Sequence, residues 1–184
     1  LVAGTVSMQH IYGLLFRLLW PLCCDRPFYS AQLSYLEQWQ ALLQQQRLIF
    51  VASPAHLARF DDIGKLSPQA QMISAIYSSG GPLADDVPPR YQQALALVPT
   101  EVFGSTETGG IAFRQRQHSN SPWQAFSGVQ LACDERGALV LQSPHLPDNN
   151  PYQTQDKVQL LAAYVYSLSH GTGGQPLQAE AKGE

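Results

Sequence analysis

The chain has 184 residues, of which 45% are hydrophobic and 14% are charged, and its net charge is −3. This composition excludes charge-driven disorder, because disordered chains are rich in charge and have too few apolar residues to form a core. The weak negative charge provides no field that attracts phosphate backbones, so we expect no nucleic-acid partner.

The apolar stretches and the cysteines indicate the cellular compartment in which the protein is expected. The longest apolar stretch, residues 11–24, is interrupted by an arginine and a proline and is shorter than the roughly 20 residues that span a membrane. We therefore expect no membrane span. Cys23 and Cys24 are adjacent and Cys133 lies far along the chain, which fits neither a disulfide framework nor a spaced zinc site. These features favour a reducing, cytoplasmic setting.

Helical spacing dominates the first forty residues. Between Gln9 and Cys24 apolar residues recur every three or four positions, which predicts a mostly buried helix with both cysteines as small core residues. A second helix is predicted after Ser30, a plausible N-cap. The side chains that this helix should turn inward are Leu33, Leu36, Trp39, Leu42 and Leu43.

Three short apolar runs predict buried parallel strands. They cover residues 48–52, 72–77 and 100–103. A short helix should follow the first run, and a helix over residues 89–97 should follow the second. Strands separated by helices need crossover connections, so residues 1–110 are predicted to form an α/β subdomain whose parallel sheet has flanking helices.

The pattern changes after Gly110 to short segments separated by glycine and proline. We predict a small antiparallel, barrel-like β subdomain over residues 111–163, with residues 134–137 as a hairpin connection. Residues 164–184 show no periodicity and are predicted to form a loose tail. The predicted fold class is α/β, a parallel-sheet subdomain followed by an antiparallel one.

The segment FGSTETGG, residues 103–110, is the most informative about function, because ligands of open α/β sheets bind beyond the carboxyl ends of the strands. Gly104 would let the backbone approach a ligand closely, and Glu107 could hold a hard cation. Three hydroxyls could donate to phosphate oxygens, those of Ser105, Thr106 and Thr108. By composition alone, the segment is also explained as an ordinary turn whose hydroxyls cap nearby backbone.

Two further segments could share the same ligand. Residues 78–83 end the second predicted strand and would place the backbone of Gly80 and Gly81 beside the first segment. In residues 152–156, Asp156 comes just before a predicted strand and could accept hydrogen bonds from two ribose hydroxyls. Taken singly, the first is also explained as a plain turn and the second as a solvated cap.

In this order the segments resemble the motifs of the adenylate-forming enzymes, the AMP-binding superfamily of acyl-CoA synthetases, aryl-CoA ligases and peptide-synthetase adenylation domains. FGSTETGG resembles the family's (Y/F)GSTE segment, SSGGPL its SGGxPL segment and YQTQD its YxTGD segment. The upstream QHIYGL is similar to the histidine-aromatic-glycine stretch that opens the helix beside the acyl pocket. The resemblance covers residues 9–156 and implies a fragment of the family's N-terminal core.

The resemblance implies roles for the residues of the FGSTE segment. Phe103 would stack on adenine, with Gly104 and Ser105 completing the nucleotide-binding segment. Thr106 would contact the phosphate, and Glu107 would coordinate Mg²⁺. Thr106 and Glu107 are therefore expected among the catalytic residues.

The other matched segments imply further site residues. Gly80 and Gly81 would line the adenine and acyl pockets, and Asp156 would hold the ribose hydroxyls. His10 would stand at the mouth of the acyl pocket as a catalytic gate. A lone histidine beside apolar residues is also explained as a hydrogen-bonded core residue.

The implied enzyme is an AMP-forming acid-thiol ligase. It would activate a carboxylic acid with ATP to an acyl-adenylate and pass the acyl group to a thiol, from coenzyme A or from the phosphopantetheine of an acyl carrier protein. Leu14, Leu15 and Phe16 suggest an aryl or fatty acid, although they are equally explained as packing residues. The expected cofactors are ATP or AMP, Mg²⁺ and the thiol acceptor.

Several departures from the family lead us to expect that this chain alone is inactive. No glycine-rich phosphate loop ending in lysine precedes His10, and Gln155 replaces a glycine beside Asp156. Residues 170–172 stand where the family has Gly-Arg, and Lys182 is not expected to be the catalytic lysine. We expect a piece of a longer enzyme, or a truncation or reading-frame change near residue 162.

Two other functions stay open from the sequence. One is a non-catalytic remnant that still binds a nucleotide, and the other is a protein-interaction module whose exposed half-core pairs with another chain. An unrelated α/β hydrolase is disfavoured, because the sequence has no GxSxG elbow.

Overall fold

The computed structural model describes residues 1–118, 121–148, 150–161 and 164–169. The strands of the first half are β1 (Val2–Gly4), β2 (Phe28–Gln32), β3 (Leu48–Ala52), β4 (Ile73–Ser78) and β5 (Thr100–Ser105). Those of the second half are β6 (Gly109–Gln115), β7 (Trp123–Ala125), β8 (Gln130–Cys133), β9 (Ala138–Gln142), β10 (Tyr152–Leu161) and β11 (Tyr164–Ser169).

The strands join into a sheet of order β2-β1-β3-β4-β5-β6-β7-β11-β10-β9-β8. From β2 to β5 every neighbouring pair is parallel, and from β5 to β8 every pair is antiparallel. The change occurs at β5, where Thr100 pairs with Tyr77 in parallel register and with Gln115 in antiparallel register. The predicted fold class, a parallel α/β part followed by an antiparallel β part, is confirmed.

Helices and a first hydrophobic core cover the parallel part of the sheet. The helices after β2 are α3 (Leu36–Leu43), α4 (Pro54–Arg59), a 3₁₀ helix (Ile63–Met72) and α5 (Val87–Leu95). At the centre of this core the ring of Trp39 stacks on Phe50 at 3.6 Å between centroids, and its Nε1 donates to the carbonyl of Leu33 at 3.2 Å. Trp39 is fully buried, so its ring fixes α3 against β3.

The first helical segment, residues 11–23, forms as predicted but turns a different face inward. It runs as α1 (Ile11–Gly13), a π-helix (Leu14–Leu19) and α2 (Trp20–Cys23). Its aromatic residues, spaced four apart, pack between the helix and β4; they are Tyr12, Phe16 and Trp20, with Tyr77 of β4 opposite. The predicted burial fails towards the end of the segment, because the larger aromatic rings occupy the inner face and leave Leu19 42% and Leu22 57% exposed, with both cysteines exposed as well.

Arg17 anchors this helical segment from inside. Its side chain is fully buried and donates to the backbone carbonyls of Val6, Tyr29 and Ala31, with the last two at 2.8 and 2.6 Å. A buried guanidinium needs such acceptors to offset the loss of hydration. Arg17 therefore ties the helix to the chain that follows β1 and to the edge strand β2.

The predicted N-cap at Ser30 is wrong. Ser30 lies in β2, an edge strand whose residues are mostly exposed, so no buried apolar run marked it in the sequence. Helix α3 instead has Tyr35 as its N-cap, and the Tyr35 amide donates to Oε1 of Gln38 at 3.0 Å. The burial of Leu36 and Trp39 is as predicted.

The antiparallel part has its own core and the predicted hairpin. Its buried residues are Ile111, Ala112, Trp123, Val129, Leu139, Leu141 and Val158. Between β8 and β9, Oδ1 of Asp134 accepts from the amides of Arg136 and Ala138 at 2.9 and 2.8 Å, and Gly137 has φ +81°. These contacts close the turn and confirm the hairpin.

The chain after residue 163 differs from its prediction. Residues 164–169, expected in the loose tail, form β11 between β7 and β10. Their aromatic and β-branched residues favour a strand. The prediction of a loose tail considered only periodicity and not this residue preference. Residues 170–184, with the expectations for residues 170–172 and Lys182, lie outside the described residues.

Candidate functional site

β3, β4 and β5 are parallel neighbours whose carboxyl ends point to one edge of the sheet. Ala52 pairs with Ser78, and Ser78 pairs with Glu101, so β3 and β4 end together while β5 continues to Ser105. Residues 53–55 and 79–82 therefore emerge as neighbours, and residues 106–108 leave β5 on the same side but farther along the strand direction. Two of the three segments singled out in the sequence thus come to the same edge, although they are more than twenty residues apart in the chain.

A cleft of about 360 Å³ opens at this edge. It is lined by Ser53, Pro54, Ala55, Ala58, Gly80, Gly81 and Pro82. Gly80 has φ +90°, in the left-handed region that favours glycine, and no atom lies within 4 Å of a Cβ placed on Gly80 or Gly81. The two glycines therefore border open space that a ligand can occupy, whereas Thr106 and Asp156 do not line this cleft.

Ser53 and His56 are the polar groups beside the cleft. Oγ of Ser53 lies 2.8 Å from Nδ1 of His56 and also accepts from the His56 amide, so Ser53 caps α4. Burial, with a smaller effect of Arg59, lowers the pKa of His56, which favours the neutral imidazole at pH 7. This pair places no charge at the cleft.

The FGSTETGG segment forms the tight hairpin turn between β5 and β6. Oγ of Ser105 and Oγ1 of Thr108 lie 3.1 Å apart, and each accepts from the other residue's amide. Thr108 is 1% exposed and also donates to the carbonyl of Gly109 at 3.0 Å. Two of the three hydroxyls expected on phosphate thus hold the turn together, and the residues exposed at its tip are Thr106 and Glu107.

Glu107 is an ionised carboxylate at this tip. The hydroxyl of Ser105, and then the backbone amide of Glu107 itself, lower the pKa of the Glu107 carboxyl from its usual value. Mg²⁺ is commonly held by one or two carboxylates together with substrate phosphates and water. Glu107 and the neighbouring Thr106 hydroxyl fit that pattern, and the described residues contain no group of three His, Cys, Asp or Glu side chains that would hold a metal by itself.

Glycine is needed at position 104 for the packing of the hairpin, and not only for the close approach of a ligand that the sequence suggested. A Cβ at this position would lie 2.2 Å from the carbonyl oxygen of Gly109 across the hairpin. The register also shifts between Phe103 and Gly104. The hairpin itself therefore requires glycine at position 104, whether or not a ligand is present.

Phe103 lies on β5 and Asp156 on β10. The Phe103 ring is partly buried against the second core, 5.6 Å from Trp123 between centroids. Asp156 lies within β10 and not before it, in a bulge where residues 153–157 face residues 138–140 of β9. The Asp156 amide donates to Oγ1 of Thr154 at 3.1 Å, and this bond lies within the bulge that carries the Asp156 side chain.

His10 is exposed and begins the first helical segment. Its Nδ1 accepts from the Tyr12 amide at 3.3 Å, which makes His10 the N-cap of α1. The alternative of a core histidine is therefore wrong. The neighbouring Tyr12 hydroxyl is buried. Its burial, and to a lesser extent its electrostatic interaction with Tyr77, raises the pKa of Tyr12 well above its usual value.

Sequence reasoning missed a buried ion-pair cluster beside this edge. Glu101 of β5 is 3% exposed and accepts from Nε of Arg114 at 3.2 Å and from Nε of Arg116 at 2.6 Å. Arg116 also pairs with Asp85 at 2.6 Å, just beyond the double glycine. The signal was present, because two arginines at alternate positions of a strand face the same side.

Among the described residues, no helix is long and apolar enough to cross a membrane. No family model matches the sequence, and no curated protein matches it. Solved structures do match the fold. This chain shares its parallel α/β sheet, continued by antiparallel strands, with AMP-forming acyl-CoA synthetases, which are adenylate-forming enzymes. The fold expected from the sequence resemblance is thereby confirmed.

Three of these structures define the likeness. MatB from Rhodopseudomonas palustris has a TM-score of 0.80 at 15% identity over 93% of this chain and 40% of its own, and it has also been solved with ATP bound. A malonyl-CoA ligase with methylmalonyl-CoA and AMP bound has a TM-score of 0.75 at 17% identity, over 94% and 44%. MenE from E. coli, with a bound analogue of OSB-AMS, has a TM-score of 0.70 at 11% identity, over 96% and 42%.

At these identities the likeness shows a shared fold. The chain spans about two fifths of the length of the structures that it matches.

Proposed function

We propose that this chain is part of an adenylate-forming acid-thiol ligase and that its nucleotide site lies between residues 79–82 and the turn at residues 103–107. One observation supports the proposal: β4 and β5 pair in parallel, so the open double-glycine segment and the exposed Thr106–Glu107 tip both leave the sheet on the same side. The shared fold, and the ATP and AMP held by neighbours with that fold, support a nucleotide as the ligand.

The residue types at this edge suit the chemistry of adenylation. Attack of a carboxylate on the α-phosphate of ATP brings two anions together, so donors must be fixed around the phosphate beforehand. Thr106 offers its hydroxyl to the α-phosphate, and the closed Ser105–Thr108 turn fixes the backbone of residue 106 between them. Mg²⁺, when bound, would neutralise phosphate charge, and Glu107 would hold it.

The remaining residues would bind and orient the substrates. Phe103 stacks on adenine with the part of its ring that the second core leaves uncovered, and Asp156 accepts from the ribose hydroxyls. Gly80 and Gly81 line the adenine and acyl pockets. His10 stands exposed above the helix that carries the aromatic face and acts as a gate for an aryl or fatty acid.

The same proposal assigns the acyl acceptor and the limits of this chain. The acceptor is a thiol, from coenzyme A or from an acyl carrier protein, and methylmalonyl-CoA in a neighbour supports coenzyme A. The chain by itself binds AMP without turnover, because it spans only about two fifths of the length of the solved structures that share its fold. Three free, exposed cysteines support a reducing cytoplasm.

A second candidate, a protein-interaction module, is favoured by the exposed apolar side chains near the sheet edge. They are Leu19, Leu22, Tyr29 and Tyr35, and within the described part of the chain β2 pairs with β1 alone. If pairing with another chain were the function, light scattering would give a defined oligomer, and AMP would leave the melting temperature unchanged.

Calorimetry with a non-hydrolysable acyl-adenylate analogue tests the first proposal. We expect saturable binding that weakens by at least about tenfold in Asp156→Asn, because a charged hydrogen bond to ribose contributes roughly 1.5–3 kcal/mol. Gln155→Ala is the matched control on the same bulge, and its affinity should stay within about twofold. A folded chain that binds no analogue at millimolar concentration would refute the proposal.

A further inference from the structure

The buried cluster around Glu101 connects the two walls of the candidate site. Glu101 lies two residues before Phe103 on β5, and Arg116 lies just after β6. From Glu101 the Arg116 guanidinium reaches across the sheet to the carbonyl of Leu83 and to the carboxylate of Asp85. One side chain thus joins the β5–β6 hairpin to the segment that contains the double glycine.

The second arginine extends the connection towards Phe103. Arg114 donates from Nε and Nη2 to the two carboxylate oxygens of Glu101, at 3.2 and 3.3 Å. Its guanidinium carbon lies 4.1 Å from the centroid of Trp123, and Trp123 contacts Phe103. The residues on both sides of the nucleotide segment are therefore held by the same cluster.

The two arginines are fully engaged with the protein. Arg116 uses Nε on Glu101, Nη1 on Asp85 and Nη2 on the Leu83 carbonyl. Arg114 uses its third nitrogen on the carbonyl of Ser121 at 3.3 Å. Because each guanidinium nitrogen bonds to a protein acceptor and the side chains are only 7% and 16% exposed, these arginines serve to hold backbone in place and not to bind phosphate directly.

We propose that Arg116, held by Glu101, is a positioning residue that fixes residues 80–83 against the β5–β6 hairpin, so that both walls of the site are in place before a ligand binds. The loop at residues 80–82 is exposed, and Gly80 has a left-handed backbone, so the segment has little intrinsic order. Leu83, in contrast, is 4% exposed and sits directly at the Arg116 contact. The effect of Arg116 on nucleotide affinity rests on the proposed function, whereas its effect on the order of residues 80–83 does not.

The test uses variants that avoid an isolated buried charge. The main variant is Arg116→Gln, because it leaves the Glu101–Arg114 ion pair in place and creates no buried charge without a partner. Arg116→Lys is a second variant, because lysine can pair with Glu101 but cannot also span to Leu83 and Asp85. Gln115→Ala is the matched control, since Gln115 neighbours Arg116 and bonds to Val98 and Thr100 without reaching the double glycine.

Two readouts on ¹⁵N-labelled chains separate loop order from ligand affinity. Backbone order parameters of Gly80, Gly81 and Leu83 should fall from the rigid range near ~0.85 to below about 0.6 in Arg116→Gln and to intermediate values in Arg116→Lys. The affinity for AMP should fall by about tenfold, because the ligand must then order the loop. The Gln115→Ala control should change neither readout.

Each outcome decides the proposal. Unchanged order parameters in folded Arg116→Gln, or in Arg116→Lys should Arg116→Gln not fold, would overturn it. Disordered loops with unchanged AMP affinity would overturn it as well, because the positioning would then have no effect on the site. If the unmodified chain shows no AMP binding, the nucleotide function fails, and the order parameters alone still decide whether Arg116 positions the loop.

Discussion

Substituting Gly104 with alanine separates a fold requirement from a ligand requirement. A Cβ at residue 104 would lie 2.2 Å from the Gly109 oxygen and 3.0 Å from both the Gly109 carbon and the Gly110 Cα. All three atoms are backbone of the paired strand, so no side chain can rotate away. The two strands must separate by about 1 Å, since nonbonded carbon contacts are most favourable near ~3.5 Å.

The expected cost follows from that displacement. Overpacking of this kind costs roughly 1–3 kcal/mol, and a weakened ladder hydrogen bond adds about 1 kcal/mol. We therefore predict that Gly104→Ala lowers the free energy of unfolding by about 3 kcal/mol, or the melting temperature by roughly 10 °C. Urea unfolding measures this as a lower midpoint at an unchanged m-value.

Gly81→Ala is the matched control, because no atom lies within 4 Å of its added Cβ and its φ is not positive. Its unfolding free energy should stay within about 0.5 kcal/mol of the original chain. Any loss of AMP affinity in this variant then reports a steric clash with the ligand itself. The reasoning about Gly104 is refuted if Gly104→Ala unfolds at the same urea concentration as Gly81→Ala.

Four further predictions concern single side chains. Trp39→Ala should lower the unfolding free energy by about 4 kcal/mol in urea, because it empties the buried space beside Phe50, whereas a loss under 2 kcal/mol would contradict the packing. Arg17→Met should cost about 3 kcal/mol by leaving three carbonyls without a donor, and a neutral result would show that water replaces the guanidinium. The pKa of Asp134 is lowered from its usual 3.8, chiefly by the Ala138 amide, so the ionised carboxylate stabilises the fold above that pH, and this contribution is lost as pH falls through the folded-state pKa. Asp134→Asn should therefore unfold more easily than the original chain at neutral pH, and the difference in unfolding free energy should disappear below about pH 4 and not above it. Ser105→Ala should raise the pKa of Glu107 towards its usual value in a carbon-detected NMR titration, and an unchanged titration would exclude the Ser105 hydroxyl as the cause.

The elements that sequence predicted well are those in which burial and local pattern agree. β3 has the predicted bounds, Leu48–Ala52, because a fully buried parallel strand is apolar throughout. The β8–β9 hairpin also follows from local chemistry, since Asp134 and Gly137 close the turn by themselves. By contrast, β2 is an exposed edge strand, and its sequence carries no alternation that marks it.

The inward face of the first helical segment could not be predicted from its apolar spacing. Leucines and aromatic residues recur in the same stretch, and only the position of Tyr77 on β4 shows that the rings of Phe16 and Trp20 face the sheet. Arg17 is a similar case. Its three carbonyl acceptors come from segments before and after it, which only the folded chain brings together.

At the candidate site, topology was predictable and local roles were not. Parallel strands imply that Gly80 and Thr106 emerge at one edge, and the register bears this out. Sequence could not show that Ser105 and Thr108 bond to each other, because it does not distinguish which of the three hydroxyls in residues 105–108 close the turn. It likewise could not place Asp156 inside a bulged strand, since a bulge depends on the partner strand.

A crystal structure of the chain with AMP would test the nucleotide site most directly. The account predicts adenine on the Phe103 ring, the phosphate within about 3 Å of Oγ1 of Thr106, the ribose hydroxyls on Asp156, and the double-glycine segment beside the base. AMP bound at a place that touches neither Thr106 nor Gly80, or bound with its ribose far from Asp156, would contradict it.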